Sequence, residues 1–187
     1  MESSAAHVVL LDQQGQPCGT ERKDRVHSPH TPLHLGFSCH VLNAAGEVLV
    51  TRRALNKRTW PGVWTNSFCG HPQPSESLEE AVHRHARHEL GMQVGEVSLE
   101  LPDFRYQATD ASGVVENEIC PVFSAVSLSP TDPDPAEVCE LRWVAPANLA
   151  AAIEAAPWAF SPWLVSQAQQ MAHYQSRGDA AVRPRGH

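Results

Sequence analysis

The run Asn66-Ser67-Phe68-Cys69-Gly70-His71-Pro72 sets a thiol two residues from an imidazole. A thiol can move protons and an imidazole can hold a metal. The spacing continues from Gly70 through Glu76, Arg84, Glu89, Gly91 and the apolar Met92. Between Arg84 and Gly91 the chain reads Arg84-His85-Ala86-Arg87-His88-Glu89-Leu90-Gly91, so Glu89 is the one carboxylate of that stretch. On a helical wheel of about 100° per residue, Leu78, Ala81, Val82 and Ala86 share an arc, and Glu89 falls inside it beside His85. A charge turned inward there needs a cation or a tight hydrogen-bond partner, because burying it alone costs several kcal/mol. The plainer alternative is a helix-end acid paired with a basic neighbour.

A second cluster lies downstream. Strand alternation places Glu116 and Glu118 on one face, flanked by Val114 and Cys120. Two carboxylates so close repel unless one is protonated or a metal lies between them. A divalent ion with His27, His34 and His71 as candidate nitrogen ligands answers this; a solvated edge strand carrying surface acids is the alternative. The other histidines, among them His7, His30, His40, His83, His173 and His187, have no assigned role. Cys69 itself is open to reading as a buried structural thiol, as most free cysteines are.

The elements that must position these residues follow from periodicity and turn signals. Short strands are expected at 8–11 and 64–68, and a hairpin joins 33–42 to 47–51 across the Asn43–Gly46 turn. A helix is expected over 75–90, with Gly91 past its end. Residues 101–107 and 114–126 would pair across the turn at 109–113, a further strand covers 141–144, a short helix starts at Pro146, and the last helix starts at Pro162. Strands interrupted by a few helices imply an α+β arrangement around a central sheet.

The 187 residues carry no linker between two apolar halves, which fits one domain over 1–176 and a loose, aperiodic tail over 177–187. The formal charge of −7 argues against nucleic-acid or membrane-surface binding, which needs a broad cationic field. Local cations at Lys23, Arg52, Arg53, Lys57 and Arg58 instead suit a small polyanion in a pocket. Five cysteines without a C-x-x-C pair read as reduced thiols. With no leader-like start and no membrane-length apolar run, a cytoplasmic location is expected. No large apolar helix face is left over, so a monomer is expected too.

The ordered set His34-Leu35-Gly36-Phe37-Ser38, Val50-Thr51-Arg52-Arg53-Ala54-Leu55, Trp60-Pro61-Gly62-Val63-Trp64-Thr65-Asn66-Ser67, Cys69-Gly70-His71-Pro72, Asp103-Phe104-Arg105-Tyr106, Glu116-Asn117-Glu118 and Pro157-Trp158-Ala159-Phe160-Ser161-Pro162-Trp163 resembles type 1 isopentenyl diphosphate isomerase. That family is a non-hydrolytic branch of the Nudix superfamily, and the likeness runs from about residue 8 to residue 170. The resemblance implies Nudix-like mixed β-sheet layers flanked by helices, and interconversion of isopentenyl and dimethylallyl diphosphate by an allylic proton shift.

By the same resemblance Cys69 and Glu118 carry the protons, Tyr106 assists the glutamate, and Trp163 faces the tertiary cation. One divalent ion (Mn²⁺, Zn²⁺ or Mg²⁺) would sit among His27, His34, His71, Glu116 and Glu118. A Mg²⁺ ion would join Glu89 to the substrate diphosphate, which Lys23, Arg53 and Lys57 would also meet. Two departures stand out. Ser75 occupies a place where the family often has glycine, and His85 one where related sequences can carry arginine; a neutral imidazole there would remove a positive charge near the diphosphate. The competing readings are a Nudix hydrolase of a nucleoside diphosphate derivative, which needs several box carboxylates to gather Mg²⁺, and a non-catalytic metal- or diphosphate-binding module.

Overall fold

The computed structural model describes residues 6–175; the tail expected at 177–187 lies outside the described residues. In chain order the strands are β1 (His7–Leu11), β2 (Pro17–Arg22), β3 (His34–Leu35), β4 (Phe37–Leu42), β5 (Val48–Arg53), β6 (Trp64–Thr65), β7 (Phe68–Gly70), β8 (Val94–Leu101), β9 (Arg105–Thr109), β10 (Val115–Ile119), β11 (Val122–Ser127) and β12 (Val138–Val144). The helices are α1 (Lys23–Val26), α2 (Leu78–Leu90), α3 (Pro146–Ala155), α4 (Pro162–Ala168) and α5 (Ala172–Gln175).

Two sheets result, one ordered β2-β1-β3-β10-β9 and a larger one ordered β12-β5-β4-β11-β8, with β6 on β5 and β7 on β4. They are joined by two chain segments that leave the small sheet side by side. The parallel pair β3/β10 ends at Leu35 and Ile119, and the parallel pair β4/β11 resumes with Ser38 opposite Val122. Gly36 N–H to Ile119 O at 3.0 Å and Ser38 N–H to Pro121 O at 3.1 Å lace the crossing. This crossing explains one difference from the sequence reading. Residues 114–126 form two strands in different sheets, broken at Cys120-Pro121, where proline cannot donate to a ladder. Residues 101–107 likewise split, at Pro102-Asp103, into the end of β8 and the start of β9.

The larger sheet is covered on both faces, so its central strands β4 and β5 are buried almost end to end. Phe37, Leu49, Phe68, Leu90 and Met92 belong to the core against α2; Val48, Val122, Leu149, Leu164 and Met171 belong to the core against α3, α4 and α5. The start of α2 also differs from expectation. Ser77, in extended conformation, caps the helix and forms a reciprocal capping box with Glu80, whereas Ser75 has φ of 70°, a left-handed geometry that no first helical turn accommodates. Glycine, which the resemblance leads one to expect at that place, adopts such an angle without strain.

Candidate functional site

The crossing between the sheets determines which side chains meet. Register places Glu118 opposite His34 on one side and Tyr106 on the other, while β7 sets Cys69 opposite Ser38 just past the crossing. These elements wall a cavity of about 650 Å³, lined by Cys69, Glu118, Tyr106, Trp163, Glu116, His27, His71, Glu89, Lys23, Arg53 and Lys57. All the residues picked from sequence for catalysis and phosphate binding therefore share one cavity, and His34 stands directly behind it. Arg58 also lines it, but Arg52 turns away to Gly62 O at 2.9 Å and Glu140 at 3.6 Å.

In the first corner, ligand atoms of His27, His34, His71 and Glu118 lie within 4.8 Å of one another. His71 Nε2 is 3.0 Å and His34 Nε2 3.4 Å from Glu118 Oε1. His34 Nδ1 lies 2.9 Å from Pro32 O; donating there leaves the lone pair of the neutral ring on Nε2, aimed at the carboxylate. Glu116 reaches the group through His27, whose Nε2 is 2.9 Å from Glu116 Oε2. That distance suits an ion pair, yet both atoms, with His34 Nε2 and His71 Nδ1, are buried without an aligned hydrogen bond. Electron-rich atoms that face one another in this way are relieved by a cation, and the nitrogen–carboxylate donor set fits a divalent metal. Burial pushes the Glu118 carboxyl upward, but its close contacts with the His34 and His71 rings outweigh it and hold the group well below the usual carboxylate range. Burial drives His71 down to about 4. Gly36 makes room for this corner, since a Cβ there would collide with Glu118 Oε2.

On the thiol side, Cys69 Sγ donates to Asn66 Oδ1 at 3.2 Å and meets Ser38 Oγ at 3.3 Å. Asn66 is locked in turn, because its amide nitrogen donates to Phe68 O at 2.7 Å and Cys39 O at 3.0 Å. Its oxygen also accepts from the Trp163 indole at 3.0 Å. One amide therefore orients both the thiol and the indole. In the sequence Asn66 stands only as part of a motif, and no spacing rule reveals that its amide joins residues 3 and 97 positions away. Burial pushes the Cys69 thiol up to about 12, so it retains its proton near neutrality. Tyr106 donates its hydroxyl to Glu118 Oε2 at 3.3 Å, and its ring lies 5.6 Å from that of Trp163.

At the cationic end, Arg53 is braced by Thr59 O at 2.8 and 3.0 Å, and its guanidinium carbon stands 5.6 Å from the Trp163 ring centre. Lys57 meets Glu137, and burial lowers its pKa to about 8. Glu89 lines the cavity and has the tight partner that an inward charge needs, His85 Nδ1 at 2.7 Å. Burial opposes its ionisation, but His85 holds its carboxyl below the ordinary value. Gly70 permits this approach, because a Cβ on it would strike the His85 ring.

Comparison with known proteins gives the family and the fold. The NUDIX domain family matches residues 32–164. Proteins named isopentenyl-diphosphate Delta-isomerase include one from Kocuria rhizophila, 60% identical over 178 residues and covering 94% of this chain and 98% of the relative. Another, from Klebsiella pneumoniae, is 48% identical and covers 96% of this chain and 98% of the relative. Among solved structures, DR0079 from Deinococcus radiodurans superposes with a TM-score of 0.68 at 19% identity, over 89% of this chain and 99% of that one. A MutT protein from Methanosarcina mazei Go1 gives 0.56 at 24% identity, over 72% and 89%. These two speak for the fold. With its Nudix frame, its cavity and its close relatives in one line, the chain belongs to the isopentenyl-diphosphate Delta-isomerase family of NUDIX-domain proteins.

Proposed function

We propose that this chain interconverts isopentenyl and dimethylallyl diphosphate, with Cys69 and Glu118 exchanging protons with the substrate. The observation that carries the reading is a single cavity lined together by the Cys69 thiol, the Glu118 carboxylate, the Trp163 indole and the cations Lys23, Arg53, Lys57 and Arg58. One of the pair delivers a proton to the terminal alkene carbon, leaving a tertiary cation, and the other removes a proton two carbons away. Because the reaction is reversible, each group takes each role, and an acid and a base lining one cavity suit such a shift. The Trp163 ring stabilises the intermediate by roughly 2 kcal/mol or more. Tyr106 donates to Glu118 Oε2 and steadies the carboxylate that must gain or lose the proton.

His27, His34, His71, Glu116 and Glu118 would hold a Zn²⁺, Mn²⁺ or Mg²⁺ ion, which would orient the carboxylate and tune its acidity. Lys23, Arg53 and Lys57 bind the diphosphate, and Glu89 would share a Mg²⁺ ion with it. Hydrolysis is poorly served, because His85 and His88 stand in the stretch where Glu89 is the one carboxylate. The five free thiols suit a reducing, cytoplasmic setting.

The test is to supply isopentenyl diphosphate with Mg²⁺ and follow the carbon skeleton and free phosphate together. Dimethylallyl diphosphate without phosphate release is expected. Phosphate release would support a hydrolase, and no change in either a silent binding module.

A further inference from the structure

A line of buried polar side chains runs from the back of the Cys69 thiol to the far helices, and the proton shift does not use it. Ser38 Oγ meets Cys69 Sγ at 3.3 Å and Cys120 Sγ at 3.4 Å, and accepts from Gln167 Nε2 at 2.9 Å. Gln167 Oε1 faces His40 Nε2 at 2.9 Å, and His40 Nδ1 faces the Tyr174 hydroxyl at 2.7 Å. Ser38, His40 and Gln167 are each 0% exposed. Polar groups so deep in a core cost stability unless all are bonded, and when all are bonded they hold one geometry.

The direction of the line can be assigned from its donors. Gln167 gives its N–H to Ser38, so its oxygen accepts, which makes His40 Nε2 the protonated nitrogen and Nδ1 the acceptor for Tyr174. Burial drives His40 down to about 3, in keeping with a neutral ring. Ser38 has two lone pairs and one hydrogen. Accepting from Gln167 and from the Cys120 thiol, it has its hydrogen left for Cys69 Sγ, while the Cys69 S–H points to Asn66. Every member is then satisfied and every hydrogen is directed toward the Cys69 sulfur. An amide stands in the middle of the line and cannot pass a proton on while keeping its bonding pattern, so the line holds a position and does not conduct.

We propose that Ser38, oriented by Gln167, His40 and Tyr174, is a positioning residue that fixes the rotamer and hydrogen bonding of the Cys69 thiol from behind. The inference rests on Cys69 as a proton-handling group. The test compares the full-length protein with Ser38→Ala, Ser38→Thr and Tyr174→Phe, measuring kcat, KM for isopentenyl diphosphate, and the infrared S–H stretching band of Cys69. That band is identified by its disappearance in Cys69→Ser. Ser38→Ala is expected to lower kcat roughly tenfold to hundredfold, the scale of a small misplacement of a reacting group, with KM within about twofold, and to shift the Cys69 band. Ser38→Thr, which keeps the hydroxyl, should retain the band position, and Tyr174→Phe should move kcat and band the same way by less. An unmoved band, or an unchanged kcat in Ser38→Ala, overturns the proposal. Should Ser38→Ala not fold, Gln167→Met takes its place with the same two criteria. If the unmodified protein does not isomerise, the functional reading fails, whereas the band still reports whether Ser38 bonds the thiol.

Discussion

Around Cys69, the polar side chains bond one another: thiol to Asn66, Asn66 to Trp163, Ser38 to Gln167. Around Glu118, four buried atoms, His27 Nε2, His34 Nε2, His71 Nδ1 and Glu116 Oε2, lack a hydrogen bond, and among the described residues His173 Nε2 is the one other such side-chain atom. One wall of the cavity is thus complete in protein atoms, and the other gathers buried nitrogen and oxygen atoms that could hold a metal ion. A closed network holds its shape unaided, while an open one of nitrogens and carboxylate oxygens is built to be finished by a cation. The two walls should therefore respond differently to the same disturbance.

The largest effect is expected at the groups that meet the substrate. Cys69→Ala and Glu118→Gln should each lower kcat by roughly a thousandfold, while circular dichroism shows the fold intact. Metal analysis separates them: Cys69→Ala should keep its bound metal, and Glu118→Gln should lose much of it. A near-normal rate in either variant would overturn the assigned roles.

Next comes removal of the ion itself. If the bound ion is present at a hundredfold over its dissociation constant, chelation should cost about 2.7 kcal/mol of stability, read as a fall in Tm. The fall should be as large in Cys69→Ala as in the unmodified protein and absent in His34→Ala. An equal response in His34→Ala would mean that the corner does not hold the ion.

At the cationic end the effects are smaller. Glu89→Gln should raise the Mg²⁺ concentration for half-maximal rate, by about tenfold if the carboxylate is a direct ligand; an unchanged Mg²⁺ titration would contradict that role. Lys57, lowered to about 8 by burial, carries its charge below that pH and loses it above. The value of kcat/KM, which reports the free enzyme, should accordingly fall a few-fold as pH rises through about 8. Lys57→Arg, which stays charged, should flatten that limb, and a limb that persists unchanged would assign it to another group.

How much of this was legible beforehand differs between the two walls. The paired carboxylates of Glu116-Asn117-Glu118 and the run Cys69-Gly70-His71 drew attention through residue type, but the roles of Cys69 and of His27, His34 and His71 rested on the family resemblance. The helix carrying Glu89 was legible too, since its apolar arc and Gly91 are local signals, though an expected start at Ser75 lies three residues ahead of the first helical residue, Leu78, because Ser77 is the cap. The bracing of Cys69 was not legible. Ser38 and Gln167 lie 31 and 98 positions from Cys69 in sequence, and only register and tertiary packing bring them together. The same holds for the crossing at Gly36 and Cys120-Pro121, where a proline marked a break without saying that the chain passes to another sheet. Strand β8 escaped notice because most of its side chains are exposed or only half-buried, leaving little apolar alternation to read.

The central claim, that the thiol and the carboxylate shuttle protons to and from one allylic substrate, is tested most directly by incubating the protein with isopentenyl diphosphate and Mg²⁺ in D₂O and locating the label. The account predicts dimethylallyl diphosphate with deuterium in a methyl group and its diphosphate intact. Conversion with no solvent deuterium in that methyl group, or release of phosphate in place of conversion, would contradict it.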